Sequence, residues 1–210
     1  MMKNKWLWGL SILSFIGTLG IYNLLPETIP THWNIQGEVD RYSGRYMALI
    51  LAALPVVLYY FMILIPKIDP RRDNYARHAR AYSMIKQGTI LFLILMVWLT
   101  NLYSLGWETD ISKIVIIGVG VLFALIGNYL TQIKHNYFVG IRTPWTLASE
   151  TVWKKTHRLG GILFVIFGIM MIASAFISNV FSAVVIGFAV VVIVIGLFGY
   201  SYWLFRKIEG

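Results

Sequence analysis

Residues 181–205 read FSAVVIGFAVVVIVIGLFGYSYWLF, a run without one charged side chain. A hydrocarbon core of about 30 Å is crossed by roughly 20 apolar residues of helix, so this run spans a bilayer with length to spare. Working back along the chain, five more stretches meet the same test: 159–177, 114–133, 88–105, 47–65 and 6–25. Each is bounded by charge, proline or a polar cluster. The expected fold is all-α, a polytopic membrane protein of six transmembrane helices. Composition agrees: of 210 residues, 58% are hydrophobic and 13% charged, against about 25% charged in an ordinary soluble domain. Mean hydropathy is +0.71. A chain this short has too little interior to hide so much apolar surface. A soluble enzyme, a disordered regulator and a free nucleic-acid-binding domain are thereby excluded. The absence of cysteine excludes disulfides, thiolate metal sites and thiol nucleophiles. The first run follows lysines, as a secretory signal would, but it is too long and ends at Pro26 without a small-residue cleavage site. It reads as a retained span.

The net charge of +9 orients these spans. Lys3 and Lys5 precede the first. The 66–87 connection holds Lys67, Arg71, Arg72, Arg77, Arg80 and Lys86, and the 134–158 connection holds Lys134, Arg142, Lys154, Lys155 and Arg158. Arg206 and Lys207 follow the last span. In a six-span chain these fifteen cations share one side, and only Arg41, Arg45 and Lys113 lie on the other. Basic residues mark the cytoplasmic side, so both termini are expected inside. The same cations would meet anionic lipid headgroups; no direct nucleic-acid contact is expected.

Packing between spans calls for small residues and a few polar groups. Gly120, Ala124 and Asn128 form such a stripe on the fourth span, Ala183 and Gly187 on the sixth. Asn101 and Asn128 are the deepest strongly polar side chains, expected in interhelical hydrogen bonds. Pro55 is expected to kink the second span and free a carbonyl. No span carries a charge near its middle, which counts against proton-coupled transport. A small transporter or channel remains the alternative function.

Three connections are too patterned to be simple turns. The outer one, 26–46, sets His32, Trp33, Asn34, Gly37, Glu38 and Asp40 on a stretch stiffened by Pro26 and Pro30, suiting either recognition at the membrane surface or an aromatic belt at the headgroups. The inner one, 66–87, starts with Asp69–Pro70, a helix-start pair expected to lead a basic helix into the third span. The second inner connection repeats the signal at Thr143–Pro144, predicting a short interfacial helix between spans four and five with Trp145, Ala148 and Val152 on one face. Arg142, Glu150 and His157 are near enough in sequence for a small polar cluster with Asn136. The four histidines lack metal-ligand spacing, and no catalytic motif is present. No catalytic residue, metal or cofactor is expected, and the protein is expected not to be an enzyme.

NYFVGIRTPWTLASETVWKKTHRLGG, residues 136–161, resembles the signature segment of the SdpI family. LPETIPTHWNIQGEVDRYSGR, followed after one span by PKIDPRRDNY, resembles the domain of unknown function commonly fused ahead of it. The resemblance implies a multi-pass protein of the bacterial cell membrane that protects its cell against a secreted peptide toxin. It also implies signalling, through sequestration of a cytoplasmic autorepressor. Residues 1–87 would form the two-span N-terminal region and 88–210 the four-span SdpI-like region. The toxin would be met by the outer loop at His32, Trp33, Asn34, Gly37, Glu38 and Asp40. The autorepressor would dock on the signature at Asn136, Gly140, Arg142, Thr143, Trp145, Thr146, Glu150, Trp153 and His157, residues for which an architectural role competes.

Overall fold

The computed structural model describes residues 4–34, 36–107, 109–177 and 179–209; Lys3, counted above among the inner cations, lies outside them. The long helices are α1 (Lys5–Ile21), α2 (Met47–Ile68), α4 (Ala79–Ser104), α5 (Ile111–Leu130), α7 (Glu150–Ser174) and α8 (Asn179–Ile208), with short helices α3 (Asn74–Arg77) and α6 (Pro144–Ala148). These six long helices are each long and apolar enough to cross a membrane. The chain is an all-α multi-pass membrane protein. A feature the composition did not announce is a two-stranded antiparallel hairpin in the outer loop, β1 (Thr28–Trp33) and β2 (Val39–Gly44).

Helix α1 shows what holds helices together without water. Its buried face is its polar one: Ser11, Ser14 and Thr18 are buried while Leu13, Ile16 and Leu19 are exposed. Trp98 Nε1 on α4 donates to Ser14 Oγ at 3.0 Å, and Asn101 Nδ2 donates to Thr18 Oγ1 at 3.0 Å. Lipid is as apolar as leucine, so apolar side chains face it at no cost while hydroxyls and amides pair across the seam. Asn101 thus makes its expected interhelical bond. Asn128 does not: it is exposed near the end of α5.

Helices α5 and α7 cross at backbone contact. A Cβ on Gly168 would run into the carbonyl of Gly120 and lie 2.7 Å from Ala124 N; one on Gly127 would lie 2.7 Å from the carbonyl of Gly161. Gly120 and Ala124 of the expected stripe are therefore used, against glycines of α7. Gly187 of the other expected stripe is not: nothing lies within 4 Å of a Cβ built on it.

Pro55 and Pro66 both lie inside α2. Pro66 has no N–H to give the carbonyl of Met62, and Tyr82 Oη of α4 takes that acceptor at 2.6 Å. The division expected at 87/88 falls inside α4, which packs against α1 and α2 on one side and α5 on the other.

Two helices begin about nine residues earlier than their apolar runs, at Ala79 and Glu150. Their first turns are amphipathic, so they project roughly 13 Å beyond the runs and bury Ala81, Tyr82 and Ile85 on α4 and Val152, Trp153 and His157 on α7. Ala81, Ile85, Ile133 and Trp153 form one apolar cluster there. Lys86, counted with the inner connection, sits inside α4. It is 1% exposed, with its ammonium 5.3 Å from the centroid of Tyr59.

The α5–α7 crossing predicts that Gly168→Val costs at least about 1–3 kcal/mol by overpacking, read as a lower melting temperature in detergent, while Gly187→Val leaves it unchanged.

Candidate functional site

Candidate site residues gather at opposite ends of the bundle, the ends that the distribution of Lys and Arg predicts to be outer and inner. At the outer end the hairpin is anchored by Leu25 and Ile29, buried against Ala48 of α2. Asn34 shapes its turn: its side-chain carbonyl accepts from Gln36 N at 3.0 Å and Glu38 N at 2.9 Å, and its amide donates to Glu38 Oε2 at 3.3 Å. Gly37 completes the turn at φ +89°, a conformation that suits glycine. Across the strands His32 Nδ1 and Asp40 Oδ1 lie 2.6 Å apart, both side chains open to solvent. Trp33 points the other way, with its ring edge-on to Tyr103 of α4 at 5.8 Å. The six outer residues thus share one hairpin, five around its turn and exposed side and Trp33 on its underside.

At the inner end the two connections fold onto each other. Asp69 is not a helix start. It ends α2, the chain turns through residues 70–73, and α3 follows. Its buried carboxylate accepts from Arg71 N at 2.7 Å, Tyr75 Oη at 3.0 Å and Tyr137 N at 2.9 Å. Asn136 is fully buried beside it. Its carbonyl accepts from Phe138 N, Val139 N and Tyr75 Oη at 2.9, 2.7 and 3.3 Å, and its amide donates to the carbonyls of Lys134 and Val139 at 2.8 and 2.9 Å. Asn74 Nδ2 donates to the carbonyl of His135 at 2.8 Å. Burial, then the bond to Asp69, pushes the Tyr75 phenol up from its ordinary value, so it remains a donor.

Under this turn lies a stack of three rings. Trp153 is parallel to His157 at 4.0 Å and tilted against His135 at 4.9 Å. Trp153 Nε1 donates to the carbonyl of Ile133 at 2.9 Å. Ile141 N donates to His157 Nε2 at 3.0 Å, which leaves the imidazole proton on Nδ1, 2.9 Å from the carbonyl of Trp153. Gly140 sits against the stack at φ +117°, where an added Cβ would strike His157 Nε2 and come within 3.2 Å of Trp153. Only glycine satisfies both constraints.

Thr143 and Pro144 start α6 as the sequence predicts, with Thr143 and Thr146 exchanging bonds in a capping box. The helix is short because Ser149 breaks it in an extended conformation and caps α7 instead. Val152 therefore belongs to another helix than Trp145 and Ala148, correcting the single face expected for them. Trp145 packs on α8, its ring 4.8 Å from Phe198 and 5.0 Å from Tyr202. Thr143 Oγ1 lies 3.0 Å from Ser201 Oγ, and Ser149 Oγ donates to Glu209 Oε1 at 2.8 Å.

The expected cluster of Arg142, Glu150 and His157 with Asn136 does not form, because each has a nearer partner. Arg142 Nη1 donates to the carbonyl of Tyr137 at 2.9 Å, Glu150 pairs with Lys154 at 2.8 Å, and His157 faces Ile141. Of the nine signature residues, Asn136, Thr143, Thr146, Trp153 and His157 are buried, Gly140 and Trp145 half-buried, and only Arg142 and Glu150 exposed. Among the described residues no three His, Asp or Glu side chains converge as a metal-ligand group. Residue-by-residue reading missed Asp69 as a bridge, Tyr75, His78 and His135. For Asp69 and Tyr75 the signal was the PKIDPRRDNY stretch itself, whose partner lies more than 60 residues away.

His78 accepts from Lys134 N through Nδ1 at 3.0 Å, and burial, then the Lys134 charge, lowers it from 6.5 to about 4. Burial, then Arg71, also lowers His135. The folded state therefore binds fewer protons than the unfolded one between those pH values. Stability present at neutral pH should be lost as pH falls from 6.5 towards 4, and His78→Gln should flatten that slope in detergent melts. Asn136→Ala, which strands several buried donors and acceptors, should cost about 2–3 kcal/mol and accelerate proteolysis at the inner connections.

The family model described as SdpI/YfhL protein family matches residues 132–202, and that described as a domain of unknown function (DUF1648) matches residues 9–57. The chain is similar to Immunity protein SdpI of Bacillus subtilis, 29% identical over 200 residues covering 94% of this chain and 93% of that protein. It is also similar to an uncharacterized protein of Archaeoglobus fulgidus, 40% identical over 47 residues covering 22% of this chain and 26% of that protein. No solved structure matches at a significant level.

Proposed function

We propose, from the premise that this chain belongs to the SdpI/YfhL family, that it is a toxin-immunity protein of the cell membrane. The observation that carries this reading is the likeness to an immunity protein along nearly the full length of both chains, taking in the outer hairpin and the inner signature alike. A secreted peptide toxin approaches from outside. The hairpin is the exposed, preshaped surface at that end, and its turn is fixed by Asn34 before any ligand arrives.

The finer part of the proposal is signalling. A cytoplasmic autorepressor would be held at the inner end, on the charged rim left exposed around the buried network: Arg142, Glu150, Lys154, Lys155 and Arg158. This orientation rests on the positive-inside distribution of Lys and Arg. The buried signature residues would act by shaping that rim rather than by touching the partner.

Expression in a toxin-sensitive strain should confer protection; correct insertion without protection would sink the immunity reading, and solute flux in liposomes would instead favour a transporter or channel. Arg142→Glu should reduce the membrane-retained fraction of a tagged autorepressor several-fold while sparing protection. Asp40→Asn, at the opposite face, should leave repressor retention unchanged.

A further inference from the structure

The hairpin is a sheet of two strands, and its two outer edges are unlike. Strand β1 lies against α4 and carries Pro30, which has no N–H to offer. The breaks in register fall at the turn end, between Pro30 and Trp33. Packing, proline, bulges and charge are the devices that close an edge strand to further pairing. Along Tyr42–Gly44, strand β2 has none of them. Tyr42 is exposed and Gly44 half-buried, and among the described residues no backbone bond joins this stretch to a third segment. Its ladder phase follows from one bond, in which Arg45 N donates to the carbonyl of Glu27 at 2.8 Å. Antiparallel pairs alternate between bonded and unbonded, so Ile29–Ser43 is the next bonded pair, and Thr28–Gly44 and Pro30–Tyr42 are unbonded ones. The backbone N–H and C=O groups of Tyr42 and Gly44 therefore point away from β1, with nothing to pair them.

We propose that this open edge takes an extended segment of the toxin as a third strand, its backbone pairing with Tyr42 and Gly44. The inference rests on the immunity reading above and deepens it by naming the part of the toxin that is held, its main chain. An extended backbone offers a donor and an acceptor on one side at every second residue, which is the spacing of Tyr42 and Gly44. Main-chain bonds of this kind supply affinity, and flanking side chains supply selectivity. Here the flanks are Arg41 and Arg45, two of the three outer cations, and neither meets a carboxylate among the described residues. They favour a segment with acidic or uncharged side chains. A second copy of this chain is the less fitting occupant. Setting Tyr42 of one copy opposite Gly44 of the other sets Arg41 opposite Arg45 twice, and like charges on directly opposed positions are destabilising.

The test uses the full chain in nanodiscs, with amide hydrogen exchange read by NMR and the purified toxin peptide of the protection assay as the probe. Saturating toxin should slow exchange at Tyr42 and Gly44 at least tenfold. Ser43 and Arg45, whose N–H groups already face β1, should not change. Tyr42→Pro deletes an outward donor that β1 does not use, and proline is tolerated on an edge strand. It should bind toxin at least tenfold more weakly than Tyr42→Ala, which loses the same ring and keeps the N–H. Slow exchange at Ser43 and Arg45 verifies the hairpin in each variant; if the proline variant has lost it, exchange in the wild type decides alone. Toxin that binds while Tyr42 and Gly44 exchange freely, or that binds the folded proline variant as tightly as Tyr42→Ala, overturns the strand assignment and leaves the immunity reading standing. Slow exchange at both residues without toxin, in discs holding two copies and not in discs holding one, assigns the edge to a second copy and overturns the inference. A wild type that neither binds toxin nor protects overturns both readings.

Discussion

The carboxylate of Asp69 is buried at the inner end of α2, and the whole inner architecture depends on how its charge is met. Three donors converge on it, two from its own connection and one, the backbone N–H of Tyr137, from 68 residues further on. A buried anion is tolerable only when hydrogen bonds replace the water it has lost. Satisfying it therefore draws the 131–143 segment onto the α2–α4 connection. Asn136 extends the same network, and its five bonds hold the following turn in the shape that presents Gly140 to the ring stack below.

The membrane-embedded part follows a different balance. Water-driven burial sorts nothing among apolar side chains surrounded by lipid, so contacts between helices are set by backbone approach and polar pairing. The α5–α7 crossing is built from glycines facing glycines. The α1–α4 seam is built from hydroxyls meeting an indole and an amide. Helix α4 belongs to the second seam and also packs on α5, which joins the two.

Much of the inner signature was legible as a pattern but not as a division of labour. Thr143–Pro144 announced α6 because capping is local chemistry, decided within four residues. The burial of Trp153 and His157 was not announced, since it depends on α4 and α7 continuing as helices beyond their apolar runs and meeting there. The nominal helix start at Asp69–Pro70 misled for a related reason: the side chain that would have capped its own helix instead takes up a distant N–H. Arg142 and Glu150 looked like cluster members by proximity in sequence, yet each took the nearest available partner and remained at the surface.

Hydropathy and charge, each a property of single residues summed over a stretch, determined by themselves that this chain carries six helices able to cross a membrane and predicted which ends lie inside. The stretches 25–45 and 136–161 carried the family resemblance and marked the two loops on which it rests. Tertiary structure alone decided that α1 turns its polar face inward, that Trp33 packs edge-on against Tyr103 of α4, and that Asp69 and Asn136 share one network. Those outcomes depend on which donor finds which acceptor across tens of residues of chain. That pairing is fixed only when the helices are packed, because a buried polar group is stable beside its partner and costly anywhere else.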